Sequence, residues 1–357
     1  MAVNSRKNSI NLKSRNNSFG IFILSDNLCK IVLSKICIMK PLSLAGLYLL
    51  FTLSVSCATG KKNNIANDVS TLQEALRNGS NIQVTLKTFD HGWNLTEGLK
   101  SVTETEGMNR IFVSSSITFI NCTFRGAITG FVTEKDGKAT ALCFQKNVSF
   151  INCIFESDVN LRAAHFQSTV TFQSCSFVKT GNFEECTYMG DAYFNDTKYR
   201  EAVRFQNAVF MKKANWMQSR FENQVSFQGT VFYNDAQLST VEFQNYADFT
   251  VCTFQMGAFF NYCKFEKQAD FGSCQFSKRF EMLSAKAQNI NFSSVYFGMN
   301  PKMNKTEIKE KADFSNAIFI SGMPVFDETI CPQIIANRVT IAGKSVSQED
   351  FIKAFGK

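Results

Sequence analysis

The sequence predicts an all-β solenoid: short strands that coil upward around an interior filled by one kind of side chain. Three observations predict it. Phenylalanine occurs 37 times against four prolines in 357 residues, which points to systematic use in a repeat. A large residue recurs from Phe144 to Phe276 at alternating spacings of six and five, without a slip. The residue two places before each large one is small or β-branched, apart from Leu142 at the first position, and never charged.

The large series runs over 25 positions, of which 20 are Phe, three are Tyr or Trp and two are Leu. Its companions run Val148, Cys153, Val159, Ala164, Val170, Cys175, Gly181, Cys186, Ala192, Thr197 and onward to Cys274. Between them stand mostly polar residues such as Ser149, Thr171, Asn182, Arg204, Asp248 and Lys264. In–out–in alternation over three residues is the period of a strand. An eleven-residue repeat also suits a helical hendecad. Counted from Phe150, however, the apolar offsets 0, 3, 5 and 9 fall near 0°, 300°, 140° and 180° at about 100° per residue, with no single stripe. The Phe, Val, Thr and Cys content also favours strand.

Strands of three residues closed by corners of two or three must coil to bury their one apolar face. Two eleven-residue units make a four-sided coil, so residues 22 apart stack. One ladder is then Phe150, Phe172, Phe194, Trp216, Leu238 and Phe260, and its neighbour includes Phe155, Phe177, Phe221, Phe243 and Phe265. Phe144–Phe276 gives about six coils rising about 4.8 Å each, roughly 29 Å of stack. Each buried ring contributes about 2–3 kcal/mol.

In this register the chain resembles the pentapeptide-repeat family, whose unit A(D/N)Lxx sets a small residue two places before a large inward one. Ala269/Phe271 and Cys274/Phe276 keep that pair, with one extra corner residue in alternate units. The resemblance covers about residues 117–297 and implies a right-handed quadrilateral β-helix. Some members of the family mimic DNA to inhibit gyrase, through strong negative charge. Of 38 basic and 30 acidic residues here, seven basic and one acidic fall in the first 56. The remainder carries 31 against 29, a net +2. So neutral a body is neither a nucleic-acid binder nor its mimic.

Open solenoid ends expose unpaired edges and require caps. We place an N-terminal cap and irregular first coils at 69–116, the repeat at 117–297, and a last coil with C-terminal cap at 298–357. Ser70-Thr71-Leu72-Gln73 fits a capping box opening a helix at 69–78, followed by a strand at Ile82–Leu86. Phe119, Cys122 and Phe124 mark a coil before a loop near Gly126–Lys138. After Phe276 the register is expected to slip, returning at Phe292/Phe297 and Phe314/Phe319, with a loop at Asn300–Lys311. Ser347 caps a terminal helix over Gln348–Phe355.

Upstream, the uncharged Pro41–Ser56 is too short to span a bilayer as a helix but suits the apolar region of a signal peptide. MKPLSLAGLYLLFTLSVSC, from Met39, resembles a bacterial lipoprotein signal ending at Cys57, although its leucine stands at Leu53 rather than at position 54. The resemblance implies a signal peptide at 39–56, lipidation of Cys57, a polar tether at 57–68 and an address at the outer membrane. Residues 1–38 read as a leader outside the fold. An unprocessed Cys57 would instead leave a cytoplasmic interaction module.

No residue pattern makes a catalytic, cofactor or metal site. Cys122, Cys153, Cys175, Cys186, Cys252, Cys263 and Cys274 occupy small inward positions and read as buried free thiols. Cys153/Cys175 and Cys252/Cys274 are each 22 apart, which makes disulfides conceivable in an oxidising compartment. His91 and His165 stand alone, and acids such as Glu184, Glu185, Asp191 and Glu201 fall at corners or outward sites. Gln145, Gln167, Gln173, Gln206, Gln228, Gln244 and Gln255 follow large residues and read as one neutral polar stripe. The expected role is a non-catalytic envelope scaffold that contacts protein or glycan. The rival is a β-helix enzyme acting on polysaccharide, which needs clustered carboxylates along a groove.

Overall fold

A computed structural model describes residues 68–355 apart from 106, 136, 325 and 354. The expected leader, signal segment, Cys57 and all but the last residue of the tether lie outside the described residues. The described chain is an all-β parallel solenoid of about nine turns with two short helices. One coil shows the plan: Val170–Gln173, Ser176–Phe177, Gly181–Asn182 and Thr187–Tyr188 form four successive walls. The next coil repeats them as Ala192–Tyr193, Lys198–Tyr199, Val203–Arg204 and Val209–Phe210. Every pairing between these coils is parallel and joins residues 22 apart, as Ser176 joins Lys198 and Thr187 joins Val209. The first wall continues down to Ile82–Thr85 and up to Phe280–Glu281, and the fourth wall reaches Val339–Ile341.

The two spacings of the large residues correspond to two kinds of corner. Corners after the first and third walls are tight. There the amide of Thr230 donates to the Phe227 carbonyl at 2.9 Å, and Cys274 to Phe271 at 3.0 Å. The residue before each such donor lies in the left-handed region: Asn207, Gln218, Gly229, Thr240, Val251, Tyr262 and Ser273 have φ between 56° and 69°. Only Gly229 in that run suits the conformation without a steric cost; side chains there cost about 1 kcal/mol or more. Corners after the second and fourth walls carry the extra residue.

Inside, the ladders close. Phe150, Phe172, Phe194 and Trp216 stack with centroids 5.0, 5.7 and 5.1 Å apart. Leu238 and Phe260 complete that column and are fully buried. Phe155, Phe177, Tyr199, Phe221, Phe243 and Phe265 stack at 4.6–5.3 Å on the second wall. Rings of neighbouring ladders meet edge to face, Phe205 against Trp216 at 85°. Offset stacks along the axis and T-shaped contacts across it satisfy the ring quadrupoles in both directions. The coil rise sets the stacking distance, which is why one ring per wall per coil fills the space.

Several expectations are corrected. Helix α1 spans Asp68–Arg77, so Ser70 lies within it and does not open a capping box. Gln73 instead reaches across to the first coil: it accepts from Trp93 Nε1 at 2.9 Å and donates to the Glu97 carbonyl at 2.5 Å. Val69, Leu72 and Leu76 bury the other contacts of this cap. The region near Gly126–Lys138 is only partly loop. Ile128–Thr129 belongs to the third wall, and Phe131–Thr133 pairs antiparallel with Ala139–Phe144. The loop expected at Asn300–Lys311 gives way to a strand at Glu307–Asp313. Its charges point outward while Met303, Ile308 and Ala312 are buried.

The register slips after Phe276 by one residue, as expected, and the ring series is not interrupted. Met282 and Ala287 hold the ring positions and are buried, so the ladder passes through residues that do not look like rungs. One residue is missing at a wide corner. Phe265 pairs with Ala287, but Gln268 pairs with Asn289, and the next coil restores the count, with Asn289 opposite Lys311.

At the far end α2 spans Gln348–Ile352, with Ser347 Oγ accepting from the Asp350 amide. The helix stops before Phe355, which forms a bridge with Phe326 instead. Phe351 and Phe355 pack on Phe314 and Phe326 and close the stack.

Candidate functional site

The small inward positions divide into two classes. At wide corners they are Val, Ala or Gly; at tight corners they include Cys, Ser and Thr. The second class supplies donors. Cys175, Cys252, Cys263 and Cys274 thiols donate to the carbonyls of Phe150, Phe227, Leu238 and Phe249 at 3.3, 3.0, 2.8 and 2.8 Å. Thr197, Ser219 and Thr230 hydroxyls do the same to Phe172, Phe194 and Phe205 at 2.5, 2.7 and 2.7 Å. Each bond drops 25 residues, from one tight corner to the same corner a coil below. The carbonyl served ends a wall, so the side chain ties successive corners together. The signal was in the sequence: all the Cys, Ser and Thr of the small series fall in alternate places.

The described cysteines are free thiols, eight of them buried. Burial pushes Cys186 and Cys263 up to about 12, so neither is a nucleophile near neutral pH. Cys263→Thr is expected to hold stability near wild type, whereas Cys263→Ala loses about 1 kcal/mol because the Leu238 carbonyl loses its side-chain donor. Urea unfolding midpoints of the two variants check this.

The outward acids of the third wall also have local duties. Asp248 Oδ1 accepts from the Thr250 amide at 2.9 Å, Asp270 Oδ1 from Gly272 at 2.9 Å and Asp313 Oδ1 from Ser315 at 2.9 Å. Asn160, Asn182 and Asn291 make the same turn. Asp and Asn are used there because a short side chain can satisfy the amide two residues on. On the second wall, Glu242 lies between Arg220 at 2.6 Å and Lys264 at 2.8 Å. The Lys264 hydrogen bond leads in holding its carboxyl below the usual range.

His165 does not stand alone. Its Nε2 lies 3.3 Å from Nη2 of the buried Arg110, which pairs with Glu104 at 2.7 Å and donates to the Ala163 carbonyl at 2.5 Å. Burial, then the guanidinium, lower the His165 pKa. This cluster pins the hairpin Val102–Thr105/Met108–Val113 to the fourth wall. His91 is exposed at a corner, as are Glu185 and Glu201. Arg162 holds Glu185 at 2.8 Å and stands 3.9 Å from Glu184. Among the described residues no group of three or more His, Cys, Asp or Glu is placed to hold a metal ion.

The glutamines form no single stripe. Gln145, Gln167 and Gln255 follow the fourth wall, Gln173 the first, Gln244 the second, and Gln206 and Gln228 the third. A 6-5 spacing visits all four walls, and only a 22-residue step returns to the same one. The walls differ sharply in chemistry. Outward positions of the second wall carry Lys198, Arg220, Glu242, Lys264 and Lys286. On the opposite, fourth wall the outward positions Thr187, Val209, Val231, Thr253, Gln275, Tyr296 and Ile318 carry no charge, whereas the wide corner that follows it holds Asp191, Lys212, Lys213, Asp235, Lys278 and Arg279. Met189, Met211, Tyr233, Met256, Met299 and Ile320 are exposed along that side.

Four walls, parallel coils 22 residues apart and an interior of stacked rings define a β-solenoid of quadrilateral coils. Residues 150–198 match the family model for pentapeptide repeats (9 copies), which supports that family for the solenoid. No curated protein matches the chain. No solved structure matches it.

Proposed function

We propose that this chain is a non-catalytic scaffold, lipid-anchored in a bacterial envelope, whose rigid walls hold a protein or glycan. The observation that carries the reading is the asymmetry of the walls. A wall of charged outward residues suits water, and an opposite wall whose outward positions are uncharged and are bordered by exposed Met and Tyr suits contact. The acids of the third wall are occupied in holding turns, which supports a binding role over hydrolysis. The anchor rests on the apolar Pro41–Ser56 run and Cys57, with the chain outside the cytoplasm and held at the outer membrane.

Two measurements on the full chain test the reading. Mass spectrometry of the purified N-terminus is expected to show a diacylated or triacylated Cys57; an intact Met1 without lipid removes the export part. Crosslinking in envelope membranes is expected to concentrate on the fourth wall and to fall at least tenfold in Val231→Lys/Tyr233→Lys. Crosslinks that ignore this pair remove the contact role of that wall.

A further inference from the structure

The third wall carries two concavities in line. The lower, of about 200 Å³, is bounded by Arg204, Gln224, Ser226, Tyr246 and Asp248. The upper, of about 540 Å³, is bounded by Gln268, Asn289, Asn291, Glu310, Lys311 and Asp313. The missing corner residue lies beside the upper one: the coil at 286–291, whose Asn289 and Asn291 line it, is one residue shorter there than both neighbours.

Asp270 sits between the two concavities and organises both. Its Oδ2 accepts from Tyr246 Oη at 3.2 Å and Gln268 Nε2 at 3.3 Å; its Oδ1 accepts from Asn291 Nδ2 at 2.8 Å and from the Gly272 amide. A lower-concavity phenol and two upper-concavity amides are thereby fixed by one carboxylate. Asp313 Oδ1 likewise holds the Ser315 amide, and it stands at the upper concavity beside Lys311 and Gln333. From Arg204 to Asp313 the wall climbs five coils, about 24 Å.

We propose that this trough binds a linear oligosaccharide of neutral or amino sugars lying along the solenoid axis. Amides and carboxylates at coil spacing match alternating sugar hydroxyls, which both donate and accept, and the Tyr246 ring offers an amphipathic platform. Asp248, Asp270, Asp313 and Glu310 outnumber Arg204 and Lys311, so a polyuronate is repelled and an amino sugar attracted. The trough gives the glycan arm of the scaffold reading its site, and rests on that reading.

Isothermal titration of the full chain with chitohexaose, its de-acetylated hexamer and hexagalacturonate tests the trough. Binding of one or both of the first two is expected, with none of the third. Gln268→Ala/Asn289→Ala removes two side chains without a role in turns and is expected to weaken binding at least tenfold. Lys198→Ala on the second wall should leave it unchanged, and thermal unfolding verifies that both variants are folded. Hexagalacturonate as the tightest ligand, binding insensitive to the double variant, or no binding by any of the three overturns the trough. The scaffold reading survives that failure if fourth-wall crosslinking persists, and falls only if both fail.

Discussion

Replacing Phe205 with alanine is expected to lower stability by about 3–5 kcal/mol, seen as an early urea midpoint. The ring is fully buried. It stacks between Phe183 at 5.1 Å and Phe227 at 5.0 Å, and its sides meet Phe194 at 5.2 Å and Trp216 at 5.3 Å. The space left cannot close, because the rungs above and below are held by backbone pairing of Val203 with Val225 and Gly181 with Val203. Phe205→Leu is expected to cost less, about 1.5 kcal/mol or below, since Leu161 and Leu238 already serve as rungs. Equal and small losses for both would mean that ring stacking does not hold the stack together.

Gly126→Ala is the second large effect, and its cause is backbone contact. A methyl on Gly126 would stand 2.1 Å from the Gly92 nitrogen and 2.3 Å from the His91 carbonyl carbon. Main chain cannot rotate out of the way as a side chain can. The first two coils must separate, at or above the upper end of the roughly 1–3 kcal/mol usual for overpacking. The separation strains the bond from Trp93 to the Ala127 carbonyl, 2.7 Å long, and with it the seat of α1. Limited proteolysis is expected to cut the variant near α1 at temperatures where the wild type resists, with the upper coils still protected.

The architecture was legible because burial in a narrow four-walled interior tolerates so few side chains. A period written in phenylalanine needs no tertiary information. Legibility failed where another residue filled the same space. Met282, Ala287, Met303 and Ile308 continue the ladder, but none stands out against a background of apolar residues, and the charged run through Lys311 resembled a loop. The role of Gln73 is hidden for a different reason: a capping pattern is local, whereas its partners Trp93 and Glu97 arrive from the first coil. The Arg110–His165 pairing joins residues 55 apart through an inserted hairpin that breaks the period. The third-wall trough required knowing which wall each outward residue occupies, and one absent corner residue, which no composition reveals.

The fixed step between coils has a consequence for how such a protein changes size. Each level meets its neighbours through equivalent atoms, so a segment of one full circuit can leave or enter while both end caps keep their seats. The single residue lost between Ala287 and Asn289 is accommodated at a wide corner, on the outer surface, while the buried positions on either side keep their places. Reach therefore varies in whole increments, and surface relief varies independently of it.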